Sequence, residues 1–164
     1  MTRITIALAA SATLAVAGGA ALAVTAHGQG QPPRTITLRG GPAAERDIKQ
    51  IDVAPHGTSL GDRTLAAETL RRGGAPIGRA LVDCTALDAS YQGQTCAVTL
   101  LTREGQLTAQ GASANRALPG SGGDPGTAQV YAITGGTGRY LGATGTLRVR
   151  STSKGDTFTA TLGA

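Results

Sequence analysis

Tryptophan is absent from this 164-residue sequence, and the aromatic residues are only Phe158, Tyr91, Tyr131 and Tyr140. Large apolar volume must therefore come from Leu, Ile and Val, helped by many Ala. Histidine is scarce too. His27 and His56 belong to no ligand-spaced cluster, so neither a metal site nor a metal cofactor is expected. No G-x-S-x-G elbow is present, and a hydrolase triad would have to recruit His56 from a Pro-Gly loop. Outside the N-terminus no segment carries a convincing 3.6-residue apolar period, which excludes a mainly helical domain. The length suits one domain with a short extra segment, not two cores.

The charge is modestly basic, with 15 Lys and Arg against 10 Asp and Glu. The basic residues are nearly all arginine and lie scattered along the chain, without aromatics between them for base stacking. No nucleic-acid partner is expected on that pattern. The abundant glycine, 25 residues, and the many threonines favour turns and strands.

The N-terminus resembles a secretory leader. Met1-Thr2-Arg3 gives a short positive start, and Ile4 to Val24 is an uncharged run dominated by Ala, Leu, Ile and Val. Ala21-Leu22-Ala23 and Val24-Thr25-Ala26 both fit an A-x-A-like cleavage site. The expected division is a signal peptide over 1–26, a Gly/Pro-rich linker over 27–46 and a β domain over 47–164, with a cut after Ala23 as the alternative. On this reading the protein is secreted and keeps no membrane span. The competing reading is an uncleaved anchor, because the run approaches the ~20 residues that cross a bilayer.

Export bears on the cysteines. Cys84 and Cys96 are the only pair and lie equally far from Ser90, the centre of a candidate hairpin. They would face each other across two antiparallel strands, and an oxidising compartment permits a bridge worth about 3 kcal/mol. Two buried free thiols are the other reading.

Strand-like segments recur between turn signals. They are Ile48 to Ala54, Asp62 to Leu70, Ile77 to Thr85, Gln94 to Thr102, Gln106 to Ser113, Gln129 to Thr134, Thr144 to Thr152 and Thr157 to Leu162. Thr35 to Leu38 is a candidate short extra strand within the linker. Short strands at this spacing signal an all-β sandwich or barrel, and eight suit an eight-stranded antiparallel β-barrel enclosing either packed side chains or one small ligand.

The most distinctive segment runs Tyr131-Ala132-Ile133-Thr134-Gly135-Gly136-Thr137-Gly138-Arg139-Tyr140-Leu141-Gly142-Ala143-Thr144-Gly145. Gly135, Gly136 and Gly138 suit a tight turn. Gly142 and Gly145 suit a sharp bend or close backbone approach, and Tyr140 would plug one end of a barrel. A phosphate cradle is excluded: the glycines lack G-x-G-x-x-G spacing, no Lys-Ser/Thr follows, and a strand comes next where a helix would be needed.

This segment closely resembles the signature of the allene oxide cyclase and dirigent protein superfamily, in which a Gly-Gly-Thr/Ser-Gly turn and an aromatic sit between two late strands. Leu60-Gly61-Asp62, Ile77-Gly78 and Glu104-Gly105-Gln106-Leu107-Thr108-Ala109-Gln110-Gly111 extend the likeness, which covers about Leu60 to Leu162. The resemblance implies an eight-stranded barrel with an apolar pocket, working without metal or nucleotide cofactor. It further implies an apolar small-molecule ligand, fatty-acid- or phenol-derived, steered through cyclisation or stereoselective coupling. Relatives often form dimers or trimers, so a homo-oligomer is implied as well. By the same resemblance Glu68 falls where the cyclases place a water-holding Asn, and Asp52 is the nearest counterpart of an acidic residue on their first strand. Cys84 falls on a cyclase cysteine.

Read as residues, Glu68 is either a buried acid with a raised pKa or a solvated carboxylate near Arg71. Tyr131 either offers its hydroxyl to a ligand or packs, and Arg148 with Arg150 face either solvent or a bound carboxylate. Tyr131 and Tyr140 are the candidate ligand contacts. Ala66, Ala80, Ala97 and Ala109 would leave interior room if they face inward. Two functions stand: a pocket protein, enzymatic or chaperone-like, and a non-catalytic exported binding or envelope-associated barrel.

Overall fold

The computed structural model describes residues 34–42, 45–57, 59–88, 93–114, 128–152 and 154–163. The expected leader and its cleavage sites lie outside these residues, as does the glycine-rich stretch 115–127.

Nine strands occur among the described residues: β1 (Arg34–Arg39), β2 (Asp47–Ile51), β3 (Arg63–Arg72), β4 (Ala75–Ala86), β5 (Gly93–Thr102), β6 (Gly105–Ala114), β7 (Ala128–Gly136), β8 (Gly145–Thr152) and β9 (Gly155–Leu162). The barrel strands alternate buried and exposed positions as half-buried strands should, whereas β2 is mostly exposed. In β8, Leu147 and Val149 are buried while Arg148 and Arg150 face solvent, which settles that pair as outer-wall residues. From β3 to β9 every strand pairs antiparallel with its sequence neighbour. Such a meander is what short turns of Gly and polar residues permit.

Closure comes from β1. It pairs along its length with β9, from Arg34↔Leu162 to Arg39↔Thr157, and reaches β3 at Arg39↔Arg71. The result is a closed eight-stranded antiparallel barrel with one extra strand, β2, laid along the first half of β3 from Ile51↔Arg63 to Asp47↔Ala67. This corrects the expected boundaries. The candidate extra strand within the expected linker, Thr35 to Leu38, is a strand over 34–39 and closes the barrel, while the segment Ile48 to Ala54, read as a barrel strand, supplies the addition. Leu38, only 2% exposed, shows why: β1 contributes core on its inner face, although Gly and Pro crowd both its flanks.

The core is built from inward alternates of all eight strands, with Leu70, Val98, Tyr131, Leu147 and Phe158 almost wholly buried. Cys84 and Cys96 stand directly opposite each other in the β4–β5 register and form a disulfide, buried inside the barrel. Ala80 and Ala109 face inward, and Ala66 packs against the core. Ala97 instead belongs to the outward set of β5, beside Leu65, Ala67 and Leu81, around a shallow depression of about 510 Å³ on the outer wall.

Candidate functional site

The two ends of the barrel differ. At one, the β7–β8 connection folds over the opening as a 3₁₀ turn, Gly138–Tyr140, and carries Tyr140 inward to 4% exposure. Gly138 starts the turn at φ 58°, a left-handed conformation that glycine adopts without a Cβ penalty. A Cβ on Gly136 would lie 2.5 Å from the Tyr140 carbonyl oxygen, so the turn closes this tightly only over glycine. Gly135, Gly142 and Gly145 complete the connection. Tyr140 is a plug: its hydroxyl is directed to Glu104 Oε2 at 3.5 Å, toward the rim. With Ile36, Leu38, Leu100, Leu107 and Ala160 it lines a cavity of only about 10 Å³. That holds at most about one water, so this end of the interior is filled.

Away from this plug the apolar interior is interrupted by charge. Glu68 of β3 and Asp156 of β9 both point inward, and Arg46, just ahead of β2, enters between them. Arg46 Nη2 lies 2.9 Å from Asp156 Oδ1 and 3.9 Å from Glu68 Oε2, with side-chain exposures of 4% for Arg46, 5% for Glu68 and 0% for Asp156. The backbone makes this convergence possible. Gly40 follows β1 and donates its N–H to the Asp156 carbonyl at 2.7 Å, while a Cβ on Gly40 would overlap the Glu68 carboxyl. The Gly40–Gly41 pair thus lets the chain cross directly over Glu68 on its way to Arg46.

Burial pushes the Glu68 carboxyl up to about 8, helped by the Asp156 charge and its contact with Asp156, while the Arg46 charge pulls the other way. Glu68 is therefore mostly protonated at neutral pH. The cluster is close but poorly aligned. Arg46 Nε, Glu68 Oε2 and both Asp156 carboxylate oxygens are buried without a partner in hydrogen-bond geometry among the described residues. Buried polar atoms in folded proteins usually find a partner in the protein or in an ordered water.

The structure brings together some expected residues and separates others. Glu68 is the buried acid of the two readings, not the solvated one; Arg71 pairs instead with Glu45 at 3.1 Å. Asp52 is not its companion. It lies exposed beyond β2, accepting from Gly57 N at 3.2 Å and facing His56 Nδ1 at 3.7 Å, while Glu68 sits in the far half of β3. Tyr131 is buried, its ring packed against Gly111. Arg46 and Asp156 were missed from the sequence: one reads as linker, the other as part of a Lys-Gly-Asp turn. The available signal was Asp156 two residues before Phe158 in a period-2 strand, which places it on the inner face. No three His, Cys, Asp or Glu side chains come together in a metal-holding group among the described residues.

Sheet order, closure and a plugged end define an antiparallel barrel of the small closed class. The chain belongs to the allene oxide cyclase barrel-like domain family, whose model matches residues 44–162. The barrel itself begins earlier, at Arg34. Similar solved structures include a pyocyanin demethylase (22% identity, TM-score 0.63, covering 79% of this chain and 99% of that one). AbnU, an exo-specific intermolecular Diels-Alderase, is 15% identical with a TM-score of 0.58, covering 82% of this chain and 100% of the other. The pterocarpan synthase dirigent protein GePTS1 is 13% identical with a TM-score of 0.55, covering 89% and 94%. At these identities the likeness is one of fold. No curated protein matches the sequence.

Proposed function

We propose that the protein holds an apolar small molecule inside the barrel, away from the Tyr140 plug, and presents Glu68 to it as a proton donor. The observation that carries this reading is the buried Arg46, Glu68 and Asp156 cluster, whose polar atoms are incompletely hydrogen-bonded among the described residues. Buried polar atoms with unfilled hydrogen-bonding capacity are costly, and a ligand bearing one polar atom offsets that cost while its body meets the Leu, Val and Phe walls. Glu68, neutral near pH 7, gives its proton to a heteroatom lone pair, and the Arg46 charge stabilises the carboxylate left behind. The remaining work is positional: a closed wall restricts the ligand to few conformers and thereby biases a cyclisation or a coupling. In support, the similar barrels are named for a demethylation of pyocyanin, a Diels–Alder reaction and a pterocarpan synthesis, all acting on small organic molecules. The buried Cys84–Cys96 bridge supports an exported protein, whose leader is read as cut after Ala26, with Ala23 as the alternative. N-terminal sequencing of the secreted chain checks that assignment.

The filled interior beside Tyr140 favours a second reading, in which the ion cluster latches β3 and β9 on either side of the closing strand β1 in a non-catalytic barrel. Native mass spectrometry of the purified protein separates the two. Binding predicts a co-purifying apolar molecule whose retention drops about tenfold or more in Glu68→Gln with the fold intact. A clean apo protein that ignores fatty-acid and phenolic probes, and in which the same substitution changes stability alone, supports the latch.

A further inference from the structure

The arginines that look scattered along the chain converge at the plugged end. Arg72 closes β3, Arg79 lies near the start of β4, Arg103 sits in the β5–β6 turn and Arg139 in the 3₁₀ turn. Glu104 ties two of them together, accepting from Arg139 at 2.9 Å and lying 3.5 Å from Arg72. Arg72, Arg103 and Glu104 border a depression of about 160 Å³ with Pro76 and Ile77. Arg79 and Arg103 border a second, of about 390 Å³, with Ile77 and Leu101. Desolvation raises the Glu104 carboxyl, but the Arg139 bond and the Arg139 and Arg72 charges outweigh it and hold the group below its usual range. The patch thus sets four guanidinium groups against Glu104, beside a balanced Arg71–Glu45 pair at the β3–β4 turn.

Apolar side chains stand out among these charges. Leu141 is 83% exposed and Leu101 40%. Leu141 directly follows the buried Tyr140, its backbone N–H bonded to the Gly138 carbonyl at 3.2 Å, so a rigid turn presents it outward. The chain also enters the barrel at this end, since Arg34 pairs with Leu162 and Thr144 accepts from Gly163.

We propose that this end docks on an anionic lipid surface, with Arg72, Arg79, Arg103 and Arg139 on headgroup phosphates and Leu141 dipping into the acyl boundary. A bilayer rewards both kinds of group at once. A nucleic acid rewards only the arginines, and the one ring here, Tyr140, is buried where no base can stack on it.

The test uses the chain from His27 to Ala164, because every described strand begins at Arg34 or later. It is sedimented with phosphatidylcholine vesicles and with vesicles containing phosphatidylglycerol. Binding is expected to the anionic vesicles alone and to weaken with salt. R72Q, R79Q, R103Q and R139Q should each weaken it about fivefold, and L141S should weaken it further. R148Q, on the outer wall of β8, should change it less than twofold. The chain has no tryptophan, so the indole introduced by L141W reports alone, with a blue shift on anionic vesicles. Circular dichroism confirms that each variant is folded. A folded chain that ignores anionic vesicles, binding untouched by the four arginine substitutions, or unshifted L141W emission in the bound state overturns the proposal. So does oligonucleotide binding as tight as vesicle binding and indifferent to L141S.

Discussion

At the scale of single residues, Glu68 does most to set the pH behaviour of the molecule. Its folded-state pKa is raised, to about 8 against a reference of 4.5, so the folded protein holds a proton that the unfolded chain releases. The sign follows by linkage: its contribution is fully present below about pH 4.5 and is lost as pH rises through about 8. Melting followed by circular dichroism from pH 5 to 9 should show stability falling by an amount on the order of a few kcal/mol. Glu68→Gln, uncharged throughout, should flatten that slope; an unchanged slope would assign it to other groups. A methyl group at Gly40 would occupy the space of the Glu68 carboxyl, so Gly40→Ala should destabilise the fold by about 1–3 kcal/mol. A solvent-like loss of a few tenths in chemical denaturation would show that the crossing chain simply moves aside. Glu68 was legible as one of two alternatives because its strand alternates. Its partners were not, since nothing local says that Arg46 returns beneath a pair of glycines.

At the scale of elements, β1 shows why boundaries are hard to read. Thr35-Ile36-Thr37-Leu38 has strand composition, but Pro32-Pro33 before it and Gly40-Gly41-Pro42 after it give the profile of a linker. What makes it a strand is a partner at the far end of the chain, β9, which no local pattern reveals. A chain starting at Gly41 should therefore lose the cooperative melting transition that a chain starting at His27 shows. Equal melting of the two would contradict closure by β1. The β4–β5 hairpin was easier, because its two cysteines fix a symmetric register around one turn. Reducing the Cys84–Cys96 bridge should lower stability by about 2–4 kcal/mol in denaturant titrations. The loss should be absent in a double Cys→Ser variant, which is already at the lower value.

At the scale of the whole molecule, the barrel class could be read from evenly spaced short strands and from the Gly-Gly-Thr-Gly connection, because both are local. Distribution of charge was not. Arginines far apart in sequence collect at the plugged end, while two acids and one arginine meet inside the wall, and both groupings exist only once the sheet has closed. The account as a whole rests on a protonated acid inside that closed wall. Infrared difference spectroscopy of the folded protein against Glu68→Gln measures it directly. The account predicts a protonated-carboxyl band at pH 7, missing from the variant and titrating away with a midpoint near 8. A Glu68 carboxylate already ionised at pH 6, with its midpoint near the reference 4.5, would contradict it.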